Sequence, residues 1–102
     1  MKRVRFIAPA RREFIAEVVY YNDKDEGLGA RFAAAVEAAV ARAATFPLAG
    51  SPAPKTTRRV FVQNLPFAIV YRPDAYGITV FALAHLSRRP AHWQWRVHDR
   101  QQ

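Results

Sequence analysis

Residues 78–84, ITVFALA, restrict the possible folds of this chain more than any other stretch, because Thr79 is the only polar side chain among them. Alternation along an extended backbone puts Ile78, Val80, Ala82 and Ala84 on one side of a sheet and Phe81, Leu83 and His85 on the other. Both sides then need cover, so the segment reads as an inner strand. It runs straight into polar chemistry. Within eight residues of His85 come Arg88, Arg89, Pro90, His92 and Trp93, which are cations and rings at the rim of a rigid sheet, a common place for function in a small protein.

The rest of the chain supplies cover for that strand. Residues 3–7 alternate, with Val4 and Phe6 on one face and Arg3 and Arg5 on the other, as a half-buried strand does. Pro9 closes it and suits the first turn of a helix, along which Ala10, Phe14, Val18 and Tyr21 recur at helical spacing. After a polar turn at 22–27, a second helix runs over 28–46 and carries nine alanines in nineteen residues. Its small side chains let it lie close to its neighbours. Pro47 stops it, and 47–57, with three prolines and a glycine, reads as a loop. Strands are predicted over 58–63, 67–72 and 78–84, joined by Asn64-Leu65-Pro66 and by the turn at 73–77. A short helix is predicted over 90–97. The order β-α-α-β-β-β predicts an α+β fold, a small antiparallel β-sheet packed against a helical hairpin with a short C-terminal helix. The second face of the sheet is left for that terminal helix and a partner chain.

Composition narrows the functional classes. One hundred and two residues, 51% hydrophobic, suit one domain spanning 1–102, with no room for a cofactor domain. Residues 1–50 hold eight basic and six acidic side chains, a balance of +2, whereas 51–102 hold eight and two, a balance of +6. The second half is the basic face, suited to an acidic protein or a nucleic acid. With no cysteine, disulfides and thiolate metal sites are excluded. His85, His92 and His98 lack short ligand spacing, so no metal is expected. No apolar run reaches the roughly 20 residues of a membrane span, and a cytoplasmic protein is expected.

Several strings then act together: Glu13-Phe14, Tyr20-Tyr21, Gly27-Leu28-Gly29-Ala30-Arg31-Phe32, Phe46-Pro47, Arg58-Arg59-Val60, Leu65-Pro66-Phe67-Ala68-Ile69-Val70-Tyr71, and Ala84-His85-Leu86-Ser87-Arg88-Arg89-Pro90-Ala91-His92-Trp93. In order and spacing this set resembles the toxins of bacterial type II toxin–antitoxin modules of the RelE/ParE superfamily, over nearly the whole chain. The resemblance implies a small basic toxin held in a hetero-oligomer by an acidic antitoxin whose extended C-terminal segment wraps it. One branch of the superfamily cleaves messenger RNA at the ribosome, and the other, ParE, poisons DNA gyrase. The Gly-Leu-Gly turn and the ending His85-x-x-Arg88-Arg89-Pro90 look more like the ParE-like, plasmid stabilisation branch. Ribosome-dependent members commonly end this strand with arginine and follow it with a tyrosine and nearby lysines. Here the stretch offers Ser87, His92 and Trp93, and Lys55 is the only lysine after residue 24. The resemblance thus favours a growth-inhibiting, cofactor-free toxin that binds gyrase, the alternative being a RelE-like endoribonuclease.

Candidate residues follow from chemistry. RNA cleavage needs a base, an acid and cations near the phosphate, which His85, Arg88, Arg89 and His92 offer. The structural reading has His85 bonding within the strand end and the two arginines fixing the terminal helix or meeting antitoxin carboxylates. Arg58 and Arg59 are adjacent on a strand and project to opposite faces; an anion contact by one of them competes with simple solvation. Trp93 and Trp95 lie about 200° apart on a helix and cannot form one stacking platform; one is expected in the core and the other as a partner anchor, with a packed lid over the sheet the favoured role for the pair. Target or antitoxin contact is expected from Arg58, Arg59, Tyr20, Phe81, Leu83, Arg88, Arg89 and Trp93.

Overall fold

In the computed structural model the backbone of residues 3–87 and 90–97 is described, and of the terminal segment the side chains of 92–97. Strand β1 (Arg3–Phe6) leads into helices α1 (Ala8–Lys24) and α2 (Leu28–Thr45), followed by strands β2 (Ser51–Ala53), β3 (Thr57–Phe61), β4 (Phe67–Pro73) and β5 (Gly77–His85), and a 3₁₀ helix, Pro90–Arg96. The α+β class and the helical hairpin agree with the sequence reading. The strand order in space is β1-β5-β4-β3-β2. Strands β2 to β5 form antiparallel neighbours, whereas β1 lies parallel to β5, from Arg3 opposite Gly77 to Phe6 opposite Val80. The sheet is therefore mixed. Gly77 permits that pairing, since a Cβ there would sit 1.9 Å from the Arg3 carbonyl oxygen. Among the described residues no helix is long and apolar enough to cross a membrane.

The parallel β1 departs from the wholly antiparallel sheet expected from the sequence, because the helical hairpin takes the chain to β2 at the far edge and the antiparallel run from there returns β5 beside β1 in the same direction. Two further features depart from that reading. The stretch 47–57 is not all loop: β2 pairs with β3, Ser51 opposite Arg59 and Ala53 opposite Thr57. The connecting turn puts Lys55 and Thr56 in the left-handed region at φ 65° and 60°, the backbone of a tight hairpin turn that normally asks for Asn or Gly. A tertiary contact compensates. Arg72 of β4 donates to the Lys55 carbonyl and, at 2.5 Å, to Thr56 Oγ1, holding the turn from outside.

The second of these features is a β-bulge. Tyr71 lies opposite Val80 but Val70 opposite Ala82, leaving Phe81 as the extra residue. The alternation expected along 78–84 therefore changes phase: Ile78, Val80 and Leu83 join the core beneath the helices, while Phe81 and Ala82 turn to the other face. Leu83, expected as a contact for a partner, is 4% exposed inside the helix-side core.

The helix-side core is built on Phe32, Val36, Ala39 and Ala43 of α2 against Phe67, Ile69, Tyr71, Ile78 and Val80. Phe32 stacks on Tyr21 at 4.8 Å between ring centroids and meets Phe67 edge-on at 5.3 Å. Gly29 sets the closeness of the hairpin, for a Cβ there would lie 2.6 Å from the Val18 carbonyl oxygen. On the opposite face a smaller core of Val70, Phe81 and Ala82 is covered by Trp93 and Val97. Trp93 is 3% exposed and Trp95 70%. With about three residues per turn in a 3₁₀ helix, the two rings point well apart. The terminal segment thus closes much of the face that the sequence left for a partner, and Trp93, expected at an interface, is core.

Replacing Trp93 by Ala should lower unfolding stability by about 3 kcal/mol or more, whereas Trp95→Ala should stay within about 0.5 kcal/mol of the parent. Urea titration followed by circular dichroism gives both values, and equal losses would mean that the 3₁₀ helix does not seal the second core.

Candidate functional site

The site grows from a mismatch in strand length. Pro9 lies in the first turn of α1, so the chain leaves the sheet at Ile7, whose N–H gives the last main-chain bond to β5, to the Val80 carbonyl at 3.1 Å. β5 continues to His85, and its outer edge then lacks a strand. Side chains take over. Glu13 Oε1 accepts the Leu83 N–H at 3.2 Å, and Arg96 Nη1 donates to the Phe81 carbonyl at 3.1 Å. The two side chains also bind each other, Nη1 to Oε1 at 2.9 Å and Nη2 to Oε2 at 2.8 Å. A bidentate, partly buried pair of this kind is among the stronger charge-assisted contacts. His92 Nε2 stands 3.6 Å from Glu13 Oε2. Helix α1, strand β5 and the 3₁₀ helix therefore meet at one carboxylate.

Beside this clamp, on the face away from the helices, lies a concavity of about 720 Å³, with Arg5, Arg72 and Arg96 among its lining, the apolar Ile7, Pro9 and Phe81 in its walls and Trp95 at the margin. The Arg72 guanidinium carbon is 5.7 Å from the Phe81 ring centroid. Arg5 makes one long hydrogen bond, 3.5 Å to Thr79 Oγ1. The carboxylate present, Asp74, is internally satisfied: Oδ1 accepts the Tyr76 and Gly77 N–H groups, each at 2.8 Å, and Oδ2 accepts Thr79 Oγ1–H at 2.9 Å. The Tyr76 N–H first, then Thr79, Gly77 and the positive Arg5, hold this carboxyl below the usual carboxylate range against the opposing effect of burial, which outweighs each of the last three.

The sequence-predicted residues separate. His85 faces the helix side, its ring 5.0 Å edge-on from Phe67, and its Nδ1 accepts the Ser87 N–H at 3.1 Å and lies 2.8 Å from Ser87 Oγ. An acceptor Nδ1 requires the Nε2–H tautomer, and this contact caps the turn after β5. His92 sits instead at the Glu13 clamp. Arg88 and Arg89 lie outside the described residues. Arg58 and Arg59 do project to opposite faces: Arg58 Nη1 donates to the Leu48 and Gly50 carbonyls at 3.0 and 2.8 Å, tying down the segment before β2, whereas the Arg59 guanidinium lies 5.4 Å from the Phe61 ring centroid. Arg58 Nη1 is thus bound to the protein's own backbone. Tyr20 is 52% exposed, with Lys24 over its ring at 5.0 Å, and remains available as a contact. Phe81 is buried, 9% exposed, but forms a wall of the concavity.

Sequence reasoning overlooked Arg5, Glu13, Arg72 and Arg96. A signal existed for Arg5, which alternation puts on the strand face away from the helices. None existed for Glu13 and Arg96, which are 83 residues apart. Ile15 and Val19, exposed on α1 beside Tyr20, were also missed, although they stand four residues apart and off the buried stripe.

Glu13→Ala should cost about 3 kcal/mol because it leaves the Arg96 guanidinium unpaired. In a double-mutant cycle with Arg96→Ala, the combined loss should fall short of the sum by at least ~1 kcal/mol; strict additivity would show that the two ends act separately. Asp74→Asn should be less stable than the parent at neutral pH. The native carboxyl is depressed, so its contribution is present above the unfolded-state pKa and disappears as pH falls through the lower folded-state value. The two stability curves should converge in acid, and a gap that stays constant with pH would refute the assignment.

The family described as the ParE toxin of type II toxin–antitoxin system, parDE, matches residues 4–90 of the chain. Comparison with curated proteins returns no match. The match takes in β1, both helices and the whole of the sheet, including Glu13 and the bulged β5. By that extent the chain belongs to the ParE toxin family, within the RelE/ParE superfamily of type II toxins, whose members are partnered by a cognate antitoxin.

Proposed function

We propose that this toxin inhibits growth in the cytoplasm by binding a type II topoisomerase, DNA gyrase, rather than by cutting RNA, and that an acidic antitoxin neutralises it. The observation that carries the reading is the commitment of the candidate proton-transfer groups to structure. A general base or acid must reach the proton it moves. His85 Nδ1 is taken up by Ser87, and Glu13, the carboxylate beside His92, is held bidentately by Arg96. His85 and His92 also belong to different places, one over the helix-side core and one at the clamp.

Protein binding draws on what is exposed. Tyr20, Ile15 and Val19 form an apolar strip on α1, and Arg59 lies with the half-exposed Phe61 on the face away from the helices. Aromatic and arginine side chains are the usual anchors of protein interfaces. The net charge of +8 would speed encounter with acidic partners, and Arg88 and Arg89, adjoining the described residues, would add to that effect.

The test is induced expression of the full chain, with two readouts taken together. A gyrase poison yields gyrase-linked DNA breaks and a damage response while messages stay intact. Codon-linked new RNA 5′ ends without DNA breaks would overturn the proposal in favour of the ribosome-dependent nuclease. Co-expression with the acidic antitoxin should abolish the breaks.

A further inference from the structure

We propose that the concavity between β1, β5 and the 3₁₀ helix binds a nucleotide unit, a planar base with a phosphate, independently of the target assigned above. Its volume of about 720 Å³ lies within the roughly 300–1,000 Å³ usual for small-molecule sites. The walls are mainly apolar, through Ile7, Pro9, Pro73 and Phe81, with Arg5, Arg72 and Arg96 converging among them. That composition asks for a ligand that is partly flat and apolar and partly anionic.

Each half of such a ligand meets a prepared group. Trp95 is 70% exposed, yet its indole is not loose, because Nε1–H donates to the His92 carbonyl at 3.0 Å and the Arg96 guanidinium carbon lies 5.6 Å from the ring centroid. A ring held this way offers a stacking surface at little further cost in ordering, and stacking on an aromatic side chain tolerates any base. The anion falls to Arg5. Its guanidinium lines the cavity, and among the described residues the hydrogen bond it gives is the long one of 3.5 Å to Thr79 Oγ1, so it keeps donors for a ligand. Arg72 and Arg96 are engaged with protein groups and contribute charge and shape more than new hydrogen bonds. Asp74, the carboxylate of the lining, has its oxygens hydrogen-bonded by Tyr76, Gly77 and Thr79, and the positive Arg5 acts on it through charge. The cavity uses Thr79 and Phe81 near the start of β5.

The test is titration of the purified full chain with AMP, adenosine, inorganic phosphate and an eight-residue oligoadenylate, followed by tryptophan fluorescence and calorimetry. AMP should quench the exposed Trp95, and adenosine or phosphate alone should bind at least tenfold more weakly. Arg5→Gln and Trp95→Leu should each weaken AMP about tenfold, while Arg12→Gln, on α1, leaves it unchanged. An oligoadenylate bound more than tenfold tighter than AMP, with affinity falling as salt rises, identifies a strand as the source of the unit. Equal affinities identify a free nucleotide. Phosphate binding as well as AMP, no AMP binding at millimolar concentration, or Arg5→Gln and Trp95→Leu proteins that stay folded and bind AMP within twofold of the parent would each overturn the proposal.

Discussion

The ion pair between Glu13 and Arg96 decides how the two sides of this sheet are joined. A strand longer than its neighbour leaves backbone donors and acceptors open, and an open edge invites pairing with other chains. Here the carboxylate takes the Leu83 N–H and the guanidinium the Phe81 carbonyl, so a pair of side chains replaces a missing strand. Removing two ions from water is costly, and the pair offsets that cost through bidentate geometry and bonds to backbone groups that otherwise lack partners. One end belongs to α1 on the helix side and the other to the terminal 3₁₀ helix. The same contact therefore docks both covers of the sheet and sets where Trp95 and His92 stand.

A similar economy governs the other arginines. The charge excess of the second half suggests a uniform cationic face, but the side chains are used individually. Arg58 binds the Leu48 and Gly50 carbonyls, Arg72 secures the Lys55–Thr56 turn, and Arg96 closes the strand edge. Their charge still adds to the long-range field that steers partners, while each of the three gives hydrogen bonds to the protein itself. Arg5 is the contrasting case: among the described residues it gives one long hydrogen bond, to Thr79, and it lends positive charge to Asp74. For a family whose members meet other macromolecules, the field brings a partner in, and a few uncommitted groups then recognise it.

The bulge at Phe81 shows how a local irregularity redistributes a surface. Without it, Leu83 and Phe81 would share one face, and the two covers of the sheet would exchange residues. The extra residue sends Leu83 inward under the helices and presents Phe81 to the cavity and to Trp93. A bulge is a common device for re-aiming a side chain near a functional region.

Much of the fold was legible because it is written in local chemistry. The helix-period stripe of α1, the alanines of α2, the proline that ends β1 and the apolar run of β5 identify their elements and order, whereas the packed lid expected of both Trp93 and Trp95 is made by Trp93. The hairpin turn at Lys55 and Thr56 escaped because neither residue favours a left-handed backbone, and the stabilising Arg72 comes from another strand. The phase of β5 escaped because every side chain around the bulge is apolar, so no alternation marks the slip. The clamp escaped because its two ends are separated by nearly the length of the chain. Sequence alone determined which segments are helix and strand and where the positive charge is concentrated, since propensity, periodicity and charge are properties of neighbours in the chain. Only the tertiary structure decided which cations are committed, which ring is exposed and where the concavity lies, since those depend on contacts between residues that folding brings together.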